Sequence, residues 1–187
     1  MSKNTIPAIR RKDRSVTNDE WIKKFLHTAA VGTLATVAEK QPFINVNIFV
    51  YDEVKNCIYL HTAKYGHTKD IISENNKICF SVSAMGRILP ADTALEFSVE
   101  YASVLVFGEA TILSDEQEAE YALQILLDKY APHLQAGKDY RSIQKEELAR
   151  TTVYKIEIKD WRGKQKKVEE DFPGAFYYNE ANILENS

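Results

Sequence analysis

The stretch Tyr59–Phe80, YLHTAKYGHTKDIISENNKICF, decides the fold because it joins a strand, a short loop and a helix. A strand is predicted over Tyr59–Thr62, a helix is predicted to begin near Thr68, and another strand follows at Lys77. A strand that runs through a glycine-containing loop into a helix start gathers unpaired backbone N–H groups at the positive end of the helix dipole. The segment therefore predicts an anion site.

The side chains of the same loop favour phosphate as the anion. Thr62, Lys64, His67, Thr68 and Lys69 offer two hydroxyl groups, two ammonium groups and one imidazole. Such groups bind phosphate through charge-assisted hydrogen bonds. The loop is neither a P-loop nor a GxGxxG turn, so its spacing alone also allows a solvated loop with a threonine N-cap.

Composition sets the class of protein. The 187 residues are 44% hydrophobic and 27% charged, which is typical of a single globular domain. A net charge of −3 argues against nucleic acid as a partner. The charged N-terminus and the lack of a run of about 20 apolar residues predict a cytoplasmic protein without membrane contact. Cys57 and Cys79 lie in apolar runs without metal-ligand spacing, and we expect reduced core cysteines and no metal site.

The periodicity predicts mainly β-structure with helices. Predicted strands cover Val31–Val37, Phe43–Tyr51, Cys57–Thr62, Lys77–Ala84, Tyr101–Leu113 and Thr152–Asp160, with a bulge or bend at Gly108 and an irregular segment at Met85–Phe97. Helices are predicted after capping boxes at Thr17–Glu20 and Ser114–Gln117, from Thr68 to about Asn76, and around Ser142–Arg150. Because turns join most strands, we expect a mainly antiparallel closed barrel with helices around it.

The strand Phe43–Tyr51 has two chemically different faces. Ile44, Val46, Ile48 and Val50 alternate with Phe43, Asn45, Asn47 and Phe49. Side chains alternate across a strand, so we expect the aliphatic set to face the core and the amides to face outward.

Several segments together carry a family resemblance. They are RRKDR at Arg10–Arg14, VGTLATV at Val31–Val37, HTAKYGHTKDI at His61–Ile71, GRILP at Gly86–Pro90, EFSVEYASVLVFGEA at Glu96–Ala110 and GKQKK at Gly163–Lys167. In this order they resemble the FMN-binding split-barrel superfamily of pyridoxamine 5′-phosphate oxidase-like proteins. Within it, the chain is most similar to the branch of 5-nitroimidazole-resistance or flavin-nucleotide-binding proteins.

The resemblance implies a six-stranded antiparallel split barrel that forms a homodimer with flavin sites between subunits. Residues 1–15 would be an N-terminal arm, residues 16–168 the flavin-binding domain and residues 169–187 a polar tail. The residues implied in cofactor binding are Asn45 and Asn47 along the isoalloxazine, His61, Thr62, Lys64, His67, Thr68 and Lys69 at the phosphate, and Tyr101 and Ser103 from the partner subunit. For His61, a partly buried, hydrogen-bonded histidine is as much expected as a ligand contact.

The implied function is a flavin-binding oxidoreductase that reduces a small molecule, with 5-nitroimidazole-type nitro compounds as the leading candidates. FMN is the expected cofactor and FAD the alternative. His67 is the candidate catalytic residue, because an imidazole donates protons near neutral pH. The oxidase's Arg-Lys pair at the phosphate and its C-terminal substrate motif are missing, which argues against pyridoxamine phosphate as the substrate. A non-catalytic flavin-binding, flavin-storage or redox-sensing protein is the alternative, and Trp161 and Lys164–Lys167 are left without a role.

Overall fold

The structure, a computed structural model, describes residues 9–178. Its strands are β1 (Ser15–Val16), β2 (Gly32–Ala38), β3 (Gln41–Asn47), β4 (Phe49–Asp52), β5 (Cys57–Ala63), β6 (Lys77–Leu89), β7 (Ser98–Ile112), β8 (Thr151–Lys166) and β9 (Phe176–Tyr177). Its helices are α1 (Asp19–Thr28), α2 (His67–Glu74), α3 (Glu116–Tyr130) and α4 (Lys145–Leu148), preceded by a 3-10 turn at Lys12–Arg14.

All described strands belong to one sheet in the order β3-β2-β6-β7-β8-β5-β4, with β1 added to β8 and β9 added to β6. Every pairing is antiparallel. The strands at the two ends of this order, β3 and β4, follow each other in the chain with only Ile48 between them, so the sheet curls into an open barrel. The predicted split-barrel class is confirmed.

The barrel interior and a second layer under α3 form the core. Phe49 and Phe80 are fully buried inside the barrel and meet edge to face with ring centroids 4.9 Å apart. Helix α1 closes one side of the barrel with Ile22 and Leu26. On the opposite side of β4, β5 and β8, Val50, Cys57, Tyr59 and Val153 pack against Ala119, Ala122 and Leu126 of α3. Because β5 is covered on both sides, its first four residues are all buried.

Both predicted capping boxes begin one residue too early. The N-cap of α1 is Asn18, whose side chain accepts a hydrogen bond from the Trp21 N–H at 3.1 Å. The N-cap of α3 is Asp115, which accepts from the Gln117 N–H at 2.9 Å. Each site offers two consecutive capping residues, and in each the Asn or Asp takes the position.

The two faces of β3 point in the opposite directions to those we expected, with the aliphatic side chains outward. Ile44 and Val46 are 65% and 61% exposed, whereas Phe49 is fully buried. Register pairs Ile44 with Ala35 and Val46 with Thr33, and these outward residues alternate with inward Leu34 and Thr36 of β2. Alternation defines two faces of a strand, but the packing of the neighbouring strand decides which face lies inside.

Two strands continue well beyond their predicted C-terminal ends. Strand β6 continues to Leu89 through a register shift between Met85 and Ile88, where an irregular segment was expected. Strand β8 continues past Asp160 to Lys166, so the basic segment belongs to the sheet. The predicted bulge is confirmed, because the register of β7 against β8 shifts between Phe107 and Gly108.

The two ends of the described chain are attached to the barrel. Ser15, expected in an arm, pairs with Lys164 in β8, and Phe176, expected in a polar tail, pairs with Ile88 in β6. Residues 1–8 and 179–187 of the expected arm and tail lie outside the described residues. Within residues 9–178, no helix combines the length and the apolar character needed to cross a membrane.

Candidate functional site

The loop between β5 and α2 has a backbone suited to an anion. Gly66, the N-cap of α2, has φ 152° and ψ 160°, a conformation that favours glycine, and apart from Gly66 itself and its chain neighbours no described heavy atom lies within 4 Å of the position its Cβ would take. The N–H groups of Lys69 and Asp70 both bond to the Gly66 carbonyl, at 3.0 and 3.4 Å. Within the described chain, the N–H groups of His67 and Thr68 have no hydrogen-bond partner. Two free donors thus lie at the positive end of the helix beside open space.

Strand β3 meets this loop through its amide side chains. The Nδ2 of Asn45 donates to the Oγ1 of Thr68 at 3.3 Å, and Thr68 is only 6% exposed. The Nδ2 of Asn47 donates to the Asn45 carbonyl at 3.0 Å. His67 is exposed, and its ring lies 6.3 Å from the ring of Phe43. The structure therefore brings the predicted residues of β3 and of the loop to one place, on the inward side of the hairpin.

Threonine and lysine side chains complete the loop. The Thr62 hydroxyl donates to the Ala63 carbonyl and forms a second hydrogen bond with the Tyr154 hydroxyl, both at 3.0 Å. The Lys69 ammonium donates to the Lys64 carbonyl at 3.3 Å. In the part of the chain that the structure describes, neither lysine forms an ion pair, so both ammonium charges are available to an anion.

Tyr154 is a residue of the site that the sequence did not reveal. It is fully buried on β8, and burial raises the pKa of its phenol above the ordinary value. It lies beneath Thr62 because Leu60 pairs with Tyr154 across the β5–β8 ladder. The contact between Tyr154 and Thr62 depends on the register of β5 against β8, which the sequence alone does not give.

His61 is partly buried at the end of β5. Its Nδ1 is buried and has no hydrogen-bond partner among the described residues, so the expected internal hydrogen bond to that atom is missing. Burial lowers the pKa of the imidazole, which favours the neutral ring. This nitrogen is therefore an exception to the rule that buried polar atoms are hydrogen-bonded.

Tyr101 and Ser103 lie away from this loop within one chain. Thr62 pairs with Thr152, and Ser103 pairs with Lys164. These two β8 residues are twelve positions apart, which is roughly 40 Å of strand. Within one chain, the loop and these two residues therefore lie far apart along β8.

The structure places the residues that the sequence left without a role. The Trp161 indole N–H donates to the Asp19 carboxylate at 2.9 Å, and the ring packs edge-on against Tyr51 with centroids 6.4 Å apart. This contact attaches α1 to the sheet, so Trp161 has a packing role. Lys164 and Lys166 lie directly across the ladder from Ser103 and Tyr101.

The described residues include neither a cluster of metal ligands nor an activated thiol. No group of three or more His, Cys, Asp or Glu residues within positions 9–178 is arranged to hold a metal ion. Cys57 and Cys79 are free cysteines, and burial raises the pKa of each thiol. Both are therefore mainly protonated at neutral pH, which makes them poor nucleophiles.

The chain forms an open antiparallel barrel with a strand–loop–helix segment that is suited to binding an anion. These two features define a split-barrel protein. The pyridoxamine 5′-phosphate oxidase family model matches residues 18–165, and the chain therefore belongs to this family. No curated protein matches the sequence.

Solved structures share the fold at low sequence identity. A flavocytochrome from Azotobacter vinelandii is 19% identical with a TM-score of 0.74, covering 92% of this chain and 84% of that one. An FAD and haem binding protein from Mycobacterium smegmatis is 21% identical with a TM-score of 0.74, covering 93% and 80%. A proposed 5-nitroimidazole antibiotic resistance protein from Bacteroides thetaiotaomicron is 20% identical with a TM-score of 0.68, covering 81% and 86%. At these identities the likeness is one of fold.

Proposed function

We propose that this chain binds a flavin at the Thr62–Lys69 loop and acts as a flavin-dependent oxidoreductase on a small molecule. FMN is the first candidate for the cofactor and FAD the alternative. Membership of the pyridoxamine 5′-phosphate oxidase family supports a flavin, and the similar structures include an FAD and haem binding protein. The observation that carries the proposal is the anion-suited geometry of the loop.

The residues present match a flavin phosphate. The free N–H groups of His67 and Thr68 point out of a helix start, and Gly66 leaves the space beside them open. The Lys64 and Lys69 ammonium groups supply positive charge without a carboxylate to neutralise it among the described residues. A phosphate at this place would be held by backbone donors and by charge together.

Beyond the phosphate, the chain would orient the ring and handle a proton. A bound flavin supplies hydride or electron transfer, which leaves orientation and electrostatics to the protein. Asn45 is fixed by Thr68 and presents an amide along β3. The exposed His67 ring is the candidate proton donor to a substrate at the rim. Nitro compounds of the 5-nitroimidazole type are the first substrates to test.

A homodimer belongs to the same proposal. Val31, Val37, Ile44, Val46 and Ile48 are each at least 41% exposed and form an aliphatic surface on the outward side of the hairpin β2–β3. Contiguous apolar surface of this kind marks an interaction site in soluble proteins. A second copy of the chain would cover it and would bring a second set of Tyr101 and Ser103 towards the loop.

The first experiment is the absorption spectrum of the purified protein, followed by mass analysis of the compound that heating releases. A flavin spectrum with the mass of FMN or FAD would support the proposal and name the cofactor. A colourless protein that also takes up neither added flavin would refute it, and a Soret band would indicate haem.

Catalysis is tested separately from binding. NAD(P)H oxidation by the flavin-loaded protein with a nitro compound as acceptor would support the oxidoreductase. A tightly bound flavin that no pyridine nucleotide reduces would favour the alternative of a storage or redox-sensing protein. The Lys69→Gln variant should bind flavin more weakly, whereas Lys138→Gln, an exposed lysine far along the chain, should not.

A further inference from the structure

The last turn of α3 contacts the open edge of β4. This strand stands at one end of the sheet order, and within residues 9–178 only β5 pairs with it. The N–H group of its first residue, Phe49, donates to the Tyr130 hydroxyl at 3.1 Å. The carbonyl group of Phe49 accepts a hydrogen bond from the Lys129 ammonium at 2.9 Å. Two side chains of α3 thus take the place of a neighbouring strand at this point.

The same two side chains bind the segment that leads into β2. The Lys129 ammonium donates to the Ala29 carbonyl at 2.8 Å, and the Tyr130 hydroxyl donates to the Ala30 carbonyl at 2.6 Å. Ala29 is the C-cap of α1, and β2 begins at Gly32. Because β2 and β4 lie near opposite ends of the sheet order, Lys129 and Tyr130 join the two sides of the barrel split. We call these two residues the α3 clamp.

A lysine in the clamp has an energetic cost. Its side chain is partly buried, and no carboxylate of the described residues lies within 4.0 Å of its ammonium. Burial lowers the pKa of Lys129 to about 8, so the group is still mainly charged at neutral pH. The ammonium also lies 3.8 Å from the centre of the Phe49 ring, which adds a cation–π contact. An apolar residue would avoid the cost of burial but would leave the carbonyl groups of Ala29 and Phe49 without this donor.

The clamp lies beside the end of β3 that carries Asn47. Phe49 follows Asn47 by two residues, and Asn47 pairs with Gly32 across the hairpin β2–β3. Inside the barrel, the Phe80 ring contacts the Phe49 ring and lies so close to Gly32 that a Cβ there would come within 2.1 Å of it. The chain on both sides of the Asn47–Gly32 pair is therefore fixed, by the clamp and by two phenylalanine rings.

Hydrogen bonds connect Asn47 to the phosphate loop. The Nδ2 of Asn47 donates to the Asn45 carbonyl, and the Nδ2 of Asn45 donates to the Thr68 hydroxyl. Thr68 lies in the first turn of α2, where the free N–H groups of the loop are found. A continuous series of contacts thus runs from α3 through the β3–β4 corner (Ile48 and Phe49) to the loop.

We propose that Lys129 and Tyr130 are positioning residues of the flavin site, which hold β3 where Asn45 and Asn47 face the flavin ring while the loop binds the phosphate. This inference rests on the proposed flavin-binding function and deepens it. The clamp acts through the β3–β4 corner. Without the clamp, the corner would have to be ordered when the flavin binds, and this cost would weaken binding.

The first measurement is hydrogen exchange of the full-length protein, followed by mass spectrometry. Lys129→Met removes the ammonium, and Tyr130→Phe removes the hydroxyl but keeps the ring. Both variants should raise the exchange rate of amides in residues 41–52 about tenfold, because local opening of the corner becomes easier. This measurement reports on the corner itself and does not depend on flavin.

The second measurement is a fluorescence titration with FMN, or with FAD if the natural protein binds only FAD. Lys129→Met should weaken binding about tenfold and Tyr130→Phe about three- to fivefold. Both should also change the shape of the visible absorption band of the bound flavin, because the amides along the ring move. Glu118→Gln is the matched control, since it removes a contact at the first turn of the same helix, which joins β5 and β8. It should leave the affinity and the band unchanged.

Each outcome decides the inference. An unchanged exchange rate over residues 41–52 in both clamp variants overturns it, and so does an unchanged flavin affinity. Equal effects in Glu118→Gln also overturn it, because they would assign the changes to general loosening of α3. If Lys129→Met does not fold, Tyr130→Phe decides by the same criteria. If the natural protein takes up neither FMN nor FAD, the inference and the proposed function fall together.

Discussion

The carboxylate of Glu118 should contribute measurably to the attachment of α3. It accepts hydrogen bonds from the Tyr59 hydroxyl at 2.7 Å and from the Lys155 ammonium at 2.8 Å. These partners, Lys155 first, lower the pKa of the carboxyl group from 4.5 to about 2. Glu118 lies in the first turn of α3, so its contacts join the helix to β5 and β8.

The size of the effect follows from the pKa of Glu118 in the folded and unfolded chain. The lowering is worth about 3 kcal/mol without solvent screening. The side chain is 23% exposed, and screening reduces the expected contribution to about 1–2 kcal/mol. Because the folded pKa lies below the unfolded one, the contribution is complete above pH 4.5 and is lost as the pH falls towards about 2.

The perturbation is Glu118→Gln, which keeps the shape and removes the charge. Urea unfolding near neutral pH should show a loss of about 1–2 kcal/mol, and thermal unfolding a fall of about 3–6 °C. The difference from the natural protein should shrink as the pH falls below about 4.5. Glu116→Gln is the control, because this glutamate of the same helical turn is 68% exposed and lies 3.9 Å from Lys145.

Three results would refute this reasoning. A Glu118→Gln variant as stable as the natural protein would mean that desolvation cancels the gain from the partners of the carboxylate. A difference that stays constant down to about pH 3 would mean that the charge of Glu118 is not its source. If Glu116→Gln loses as much stability as Glu118→Gln, the effect comes from the interaction of negative charge with the helix dipole and not from the contacts of Glu118.

Three further predictions concern the interface, the phosphate loop and the bulge. Ile44→Glu should turn a dimer into a folded monomer, because it places a charge in the exposed aliphatic surface, and light scattering after gel filtration measures this. Thr68→Val should weaken flavin binding about five- to tenfold in a fluorescence titration, because it removes the partner of Asn45 at a cost of about 1 kcal/mol. Gly108→Ala should destabilise the fold by about 3 kcal/mol or abolish soluble expression, because its Cβ would lie 2.1 Å from the Glu157 backbone oxygen, and urea unfolding measures it.

Each of these changes has a matched control. Val54→Glu adds the same charge at a fully exposed turn and should leave the oligomeric state unchanged. Ser73→Ala removes an exposed hydroxyl one turn further along α2 and should leave flavin affinity unchanged. Gly137→Ala, in a loop with open surroundings, should lower stability less than Gly108→Ala. A natural protein that is already monomeric would contradict the first prediction. A control variant that changes as much as the variant it is paired with would contradict the prediction for that pair.

The sequence was most informative where local chemistry determines structure. The loop at Gly66 could be read from residue types, because a glycine-containing turn before a helix exposes backbone donors in almost any context. The bulge at Gly108 was equally visible, since an isolated glycine in a long β run has few other uses. Neither reading depends on distant parts of the chain.

The sequence was least informative where two distant strands meet. Ile44 and Asn45 alternate perfectly, yet the inward side was assigned wrongly because Leu34 and Thr36 of the neighbouring strand fill the interior. The position of Tyr154 beneath Thr62 depends on the register between two strands far apart in sequence. Alternation shows which residues of one strand lie on the same face. Only strand pairing determines which residues of neighbouring strands lie side by side.

The position of β8 in the sheet has a consequence for synthesis. It lies between β7 and β5 and also holds β1, yet among the long strands of residues 9–178 it is the last to leave the ribosome. Until it emerges, the nascent chain can form only two separate half-sheets, β3-β2-β6-β7 and β5-β4, each with an open edge that would pair in the complete barrel. Such edges invite pairing with other chains. Chaperone demand during translation should therefore fall sharply once Thr151–Lys166 is free to insert, and nascent chains arrested before Thr151 should aggregate.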